Sequence, residues 1–100
     1  MAGRYKLLWT GPAIEDLRQI RDYVSLDKPL AAKKLAKSIR AKVGRLKEHP
    51  GSGRLVPELA GLGYREVIVP PYRIVYQVQK KRVVILRVWH GRRPLGRPAS

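Results

Sequence analysis

Three arginines in the second half of the chain, Arg65, Arg73 and Arg87, stand within β-rich runs, and Arg92 and Arg93 follow the last of those runs. A guanidinium is planar, permanently charged and able to present two parallel N–H groups, which suits it to phosphate and carboxylate oxygens. Placed on strands, Arg65, Arg73 and Arg87 are expected to share the exposed face of one sheet, where like charges on neighbouring strands repel. A purely structural sheet has little reason to bear that cost. The set is therefore expected to grip an anionic surface of another macromolecule, with pairing to Glu58 or Glu66 as the alternative within the chain.

Other residues of chemical interest have plainer readings. His90 falls where the last strand should end, and a lone histidine there is more often a hydrogen-bonding residue than a general acid. His49, directly before Pro50, suits a helix C-terminus, where a donor or cation meets free carbonyls. Tyr72 and Tyr76 alternate with Arg73 and could stack on bases, but they share a face with Ile74 and Val78 and are read as core. Trp9 and Trp89 are assigned to sheet packing or to a partner's groove. No HExxH, no metal-spaced histidine pair and no glycine-rich phosphate loop occurs, so neither a metal nor an organic cofactor is expected.

Composition bounds what these residues can serve. The 100 residues carry 22 Lys and Arg against 7 Asp and Glu, a formal charge of +15, and the isoelectric point is about 11.0. Such a balance points to a polyanion, an acidic protein, or both as partners. Cysteine is absent, which removes disulfides, thiolate metal sites and a Cys nucleophile. The apolar run Leu7-Leu8-Trp9 near the start is too short for a signal-peptide core or a membrane span, so a cytoplasmic protein with no membrane partner is expected.

The elements that must position the arginines follow from periodicity. Tyr5 to Trp9 reads as a first strand closed by Thr10-Gly11-Pro12. Ile14, Leu17, Ile20 and Val24 recur at helical spacing, with Glu15 and Asp16 in the first turn complementing the helix dipole. A second helix opens at Pro29 behind Asp27 as N-cap, with Ala32, Leu35, Ala36, Ile39, Val43 and Leu46 as one apolar stripe. Its lysines and arginines fall on the other faces and read as solvated surface. The breaker-rich stretch from His49 to Gly63 is expected to be a long loop. Strands are expected at 64–69, 72–79 and 82–89, joined as antiparallel hairpins. The fold class is α+β, in the order β-α-α-β-β-β, with two helices packed on an antiparallel sheet. Residues 1–93 form a single domain in this reading, and 94–100, with two prolines, a flexible tail.

Four strings together resemble the RelE/ParE superfamily of type II toxin–antitoxin systems, closer to ParE. They are Leu46-x-x-His49-Pro50-x-x-Gly53-Arg54, Tyr64-Arg65-Glu66-Val67, Tyr72-Arg73-Ile74-Val75-Tyr76, and Val88-Trp89-His90-Gly91-Arg92-Arg93. The resemblance implies a toxin sealed by a cognate acidic antitoxin, with a toxin–antitoxin hetero-oligomer as the possible assembly. It allows two targets. ParE-like members are associated with poisoning DNA gyrase, and Arg65, Arg73, Arg87, Arg92 and Arg93 would then contact the topoisomerase or its DNA. RelE-like members cut messenger RNA on the ribosome, and Arg73, Arg65, His90 and Arg92 would then be the catalytic set, with Arg73 at the position of a phosphate-contacting arginine. The chain lacks the aromatic residue that RelE-like nucleases often carry beyond the last strand, while His90-Gly91-Arg92-Arg93 is similar to ParE endings. A plain basic nucleic-acid-binding protein without toxicity is the third reading, because charge alone gives salt-sensitive binding to phosphate backbones.

Overall fold

The computed structural model describes residues 4–91, Ala60 through its backbone alone. Strand β1 is Lys6–Trp9, helix α1 Gly11–Asp27 and helix α2 Pro29–Gly44; strands β2 to β5 are Arg54–Leu55, Arg65–Val69, Tyr72–Gln79 and Arg82–His90. Short 3-10 helices occupy Arg45–Lys47 and Pro57–Leu62. The five strands form one sheet in the order β1-β5-β4-β3-β2. The expected α+β architecture is therefore present, with one addition: β1 runs parallel to β5, and the remaining pairs are antiparallel. The helical hairpin makes this possible, because it returns the chain to the start of β1, where the Tyr5 amide donates to the Lys47 carbonyl at 2.9 Å.

Local chemistry explains the boundaries. Thr10 caps α1 by accepting from the Ala13 amide at 3.2 Å, while its hydroxyl meets the Ile85 and Leu86 carbonyls of β5 at 2.9 and 3.1 Å. One side chain thus joins the end of β1, the start of α1 and the sheet. Because α1 begins at Gly11, Glu15 and Asp16 lie past its first turn, and the dipole role expected for them gives way to side-chain pairing. Asp27 is the last residue of α1 rather than the cap of α2; Lys28 stands at that cap without a side-chain hydrogen bond. Pro29 at the first position of α2 needs no amide partner there.

Ala13, Ile39, Val43 and Leu46 from the helical layer meet Val67, Ile74, Tyr76, Val83, Ile85 and Val88 from the sheet in the main core. The α2 stripe is buried much as its period requires, whereas Ile14 of α1 is exposed and Ala13 takes the buried place. Strict alternation along β5 fails at one point. Val75 is paired with Arg87 but Tyr76 with Ile85, so Leu86 is an extra residue in the ladder. Such a bulge shifts the phase of everything beyond it. Val83, Ile85 and Val88 consequently share the helix-facing core, while Leu86 and Trp89 join Val56, Leu59, Tyr64 and Val75 in a second cluster.

That second cluster corrects the reading of 49–63 as loop. The segment contributes β2 to the sheet edge and folds the Pro57–Leu62 turn over the face away from the helices, ending at Gly63 with φ +72°. The face expected to be open is thereby partly covered.

Tyr76 anchors the start of this segment. Its hydroxyl accepts from the Gly53 amide at 2.9 Å and donates to the Pro50 carbonyl at 2.7 Å, and burial raises its phenol above the usual value. Tyr76→Phe leaves both backbone groups without that partner and is expected to destabilise the protein by about 1–3 kcal/mol in urea denaturation. Gly53→Ala is expected to do at least as much, since a Cβ there would meet the Tyr76 hydroxyl and the Glu66 carbonyl oxygen at 2.5 and 2.6 Å.

Candidate functional site

Glu66 is the most deeply placed charged residue, with 1% exposure. It stands on β3 directly between Arg54 of β2 and Val75 of β4. Arg54 Nε donates to its Oε2 at 2.6 Å, and Arg73 Nε donates to its Oε1 at 2.6 Å. The far side of the Arg73 guanidinium is also taken: Nη1 and Nη2 donate to Glu58 Oε2 and Oε1 at 3.2 and 3.3 Å. Arg73 is 8% exposed. The hydrogen bonds it donates to Glu58 and then to Glu66 raise its pKa further, and the bond from Arg73 holds the Glu58 carboxyl below the ordinary carboxylate value.

The other sheet arginines are also engaged. Arg87 Nε and Nη2 donate to the two Asp16 oxygens at 2.7 and 2.9 Å, and the Val88 amide donates to Asp16 Oδ2 at 3.0 Å. The guanidinium also lies over the Trp89 ring, 5.0 Å from its centroid. Arg65 Nη1 donates to the Gly53 carbonyl at 2.8 Å and, more distantly, to that of Gly51 at 3.4 Å. Residues directly opposite each other in a sheet share a face. Arg65, opposite Tyr76, therefore belongs to the helix side, while Arg73, opposite Trp89, and Arg87, opposite Val75, belong to the other.

The expectation that Arg65, Arg73 and Arg87 form one exposed, unneutralised row is overturned. The repulsion is relieved within the chain, by carboxylates for two of them and by backbone carbonyls for the third. His90, opposite Tyr72 and edge-on to its ring at 5.7 Å, is exposed on the face away from Arg73. Arg73, Arg65 and His90 are thus not gathered around one point. Arg92, Arg93 and the 94–100 tail lie outside the described residues. His49 is exposed, and among the described residues no group of three His, Cys, Asp or Glu is placed to hold a metal ion. No described helix is long and apolar enough to cross a membrane.

A family model for the ParE toxin of type II toxin–antitoxin systems matches residues 7–95. The chain belongs to that family. A curated relative, Toxin RelE2 of Caulobacter vibrioides, is 40% identical over 89 residues, covering 88% of this chain and 97% of that toxin. Among solved structures, a chain of the chromosomal ParDE system from P. aeruginosa superposes with a TM-score of 0.73 at 28% identity, over 89% of this chain and 98% of that one. A chain of the RelBE2 toxin–antitoxin complex from Mycobacterium tuberculosis gives 0.62 at 24% identity, over 87% and 98%; that likeness concerns the fold alone. The RelE/ParE resemblance of the sequence is confirmed.

In this ParE-family chain the residues that sequence reasoning undervalued are Asp16 and Arg54. By position Asp16 reads as a helix-dipole acid, although its partner lies 71 positions away. Arg54 gains its role only through β2, which a loop reading hides. Glu58 and Glu66, the alternative partners for the arginines that the sequence offers within the chain, both pair with Arg73.

Removing Arg73 leaves a buried carboxylate with one exposed partner. Arg73→Met is expected to cost about 3–5 kcal/mol in urea denaturation, and the double change Arg73→Met with Glu66→Leu to recover most of that loss. Glu58→Gln should cost under about 1 kcal/mol, because the pair is half-exposed and screened. Since the folded-state pKa of Glu58 is depressed, its contribution is complete above the unfolded carboxylate value of about 4.3 and disappears as pH falls through the folded value. The stability difference between wild type and Glu58→Gln should therefore be flat from neutral pH downward and vanish only in acid.

Proposed function

We propose that this chain is the toxin of a type II pair, that it acts in the ParE manner by inhibiting DNA gyrase or a related topoisomerase, and that a cognate acidic antitoxin neutralises it. The observation that carries the target assignment is the engagement of Arg73. Phosphoryl chemistry on RNA requires cations and proton-transfer groups converging on one phosphate. Here the buried guanidinium is bound by Glu66 and Glu58, and His90 faces the other side of the sheet. A surface that works by binding needs no such convergence. The overlap with a ParDE-system chain at 28% identity supports the same reading.

An antitoxin that folds on binding needs apolar anchors as well as charge. Tyr23, Leu26 and Leu30, at the tip of the helical hairpin, are 75%, 86% and 80% exposed. They supply such anchors, and the solved relative at 28% identity comes from a ParDE toxin–antitoxin system. A RelE-like ribosome-dependent endoribonuclease is the second reading, favoured by the name of the 40% identical relative.

Purified chain added to a gyrase supercoiling assay should block supercoiling of relaxed plasmid, while messenger RNA in a parallel cell-free translation reaction stays intact. Ribosome-dependent cleavage with supercoiling unaffected would reverse the assignment. Addition of the co-encoded acidic protein should restore gyrase activity in stoichiometric fashion.

A further inference from the structure

We propose that the outer face of α2 is a binding surface for the phosphate backbone of a double-stranded nucleic acid, separate from the arginine-bearing sheet. The charges of the helical layer are segregated. Helix α1 carries four acids, Glu15, Asp16, Asp22 and Asp27, against two arginines; α2 carries Lys33, Lys34, Lys37, Arg40 and Lys42 and no acid. The carboxylates Glu15, Asp16, Asp22, Glu48, Glu58 and Glu66 all pair with arginines outside α2. Among the described residues no ion pair reaches α2. Its five cations are exposed and retain their full field.

Their arrangement is ordered. The burial of Ala32, Ile39, Val43 and Leu46 fixes which side of the helix faces water. Lys33, Lys37 and Arg40 then form one row at i, i+4, i+7, with successive side chains about 5–6 Å apart. Lys34 flanks the row. From Lys33 to Lys42 the cations of α2 span about 14 Å of helix, and a duplex presents a phosphate about every 3.4 Å per strand, so roughly four phosphates of one strand lie within their reach.

The same face argues against an unfolded acidic peptide as occupant. From Lys33 to Lys42 its exposed positions are Lys33, Lys34, Lys37, Ser38, Arg40, Ala41 and Lys42, with no large apolar residue. A segment that orders on binding must offset its lost entropy by burying apolar surface, and beyond Leu30, at the hairpin end of α2, the cationic row offers none. A stiff duplex brings its charge already ordered and needs only cations.

The test is fluorescence anisotropy of a mixed-sequence DNA duplex of about two helical turns with the full chain, titrated across salt concentrations. Lys33→Gln, Lys37→Gln and Arg40→Gln together should make the slope of log affinity against log salt shallower by about 2–3, near 0.9 per lost phosphate contact. Lys80→Gln, Lys81→Gln and Arg82→Gln remove the same charge from the β4–β5 turn and should change the slope by less than half as much. The substituted positions are exposed in both variants, and circular dichroism checks that each folds. Equal losses in the two variants, a wild-type slope in the α2 variant, or no duplex binding by the wild type would each overturn the proposal. Displacement of the duplex by poly-glutamate at equal charge concentration would also overturn it, assigning the face to an acidic protein.

Discussion

A carboxylate shut away from water must be held by cations, because its desolvation costs several kcal/mol that only close, well-directed partners offset. Glu66 is held by two, and the second half of the fold is arranged around that requirement. Arg54 reaches it only because β2 adds to the sheet edge. Arg73 reaches it from the neighbouring strand and carries the link outward to Glu58, which ties the Pro57–Leu62 turn over the sheet. The covering segment and the ion network are thus linked: without the turn the second apolar cluster would be open, and the Glu58–Arg73 pair adds to the packing of Val56 and Leu59 that holds the turn down.

Much of the architecture was legible in the sequence because it rests on period. The α2 stripe, the β4 alternation and the Thr10-Gly11-Pro12 break each encode a local geometry that neighbours along the chain determine. What escaped depends on partners distant in sequence. The Leu86 bulge cannot be seen in a run where every residue suits a strand, yet it decides which of Leu86, Arg87 and Val88 faces the helices. Arg65, Arg73 and Arg87 are legible as strand residues, but alternation alone does not carry the pairing register that decides their face. Once the register is known, Arg65 goes to one side and the other two to the opposite side. Arginine spacing reports a need for anions without saying whether those anions belong to the same chain.

The two kinds of cation are consequently put to different uses. Arginines with planar, bidentate geometry hold the chain's own carboxylates and carbonyls, at Glu66, Glu58, Asp16 and Gly53. Lysines, whose point charge is strongly hydrated and mobile, stay exposed on α2, with Arg40 among them, and at the β4–β5 turn. The seven acids of a chain with net charge +15 are too few to neutralise it, but six of them are enough to discipline the arginines near the core and the turns. The long-range field is then set by the lysine-rich parts.

Asp16 also settles how this sheet ends. β1 covers β5 only as far as Ile85, so the remaining length of β5 has an uncovered flank of the sort that invites a foreign strand. Thr10 and Asp16 fill the first places along it, the hydroxyl on the Ile85 and Leu86 carbonyls and the carboxylate on the Val88 amide. A chain seeking to extend the sheet on that flank would have to evict a charged side chain already bound to Arg87. The helix that begins after β1 thereby guards that flank against pairing with another chain, using a single acidic residue instead of another strand.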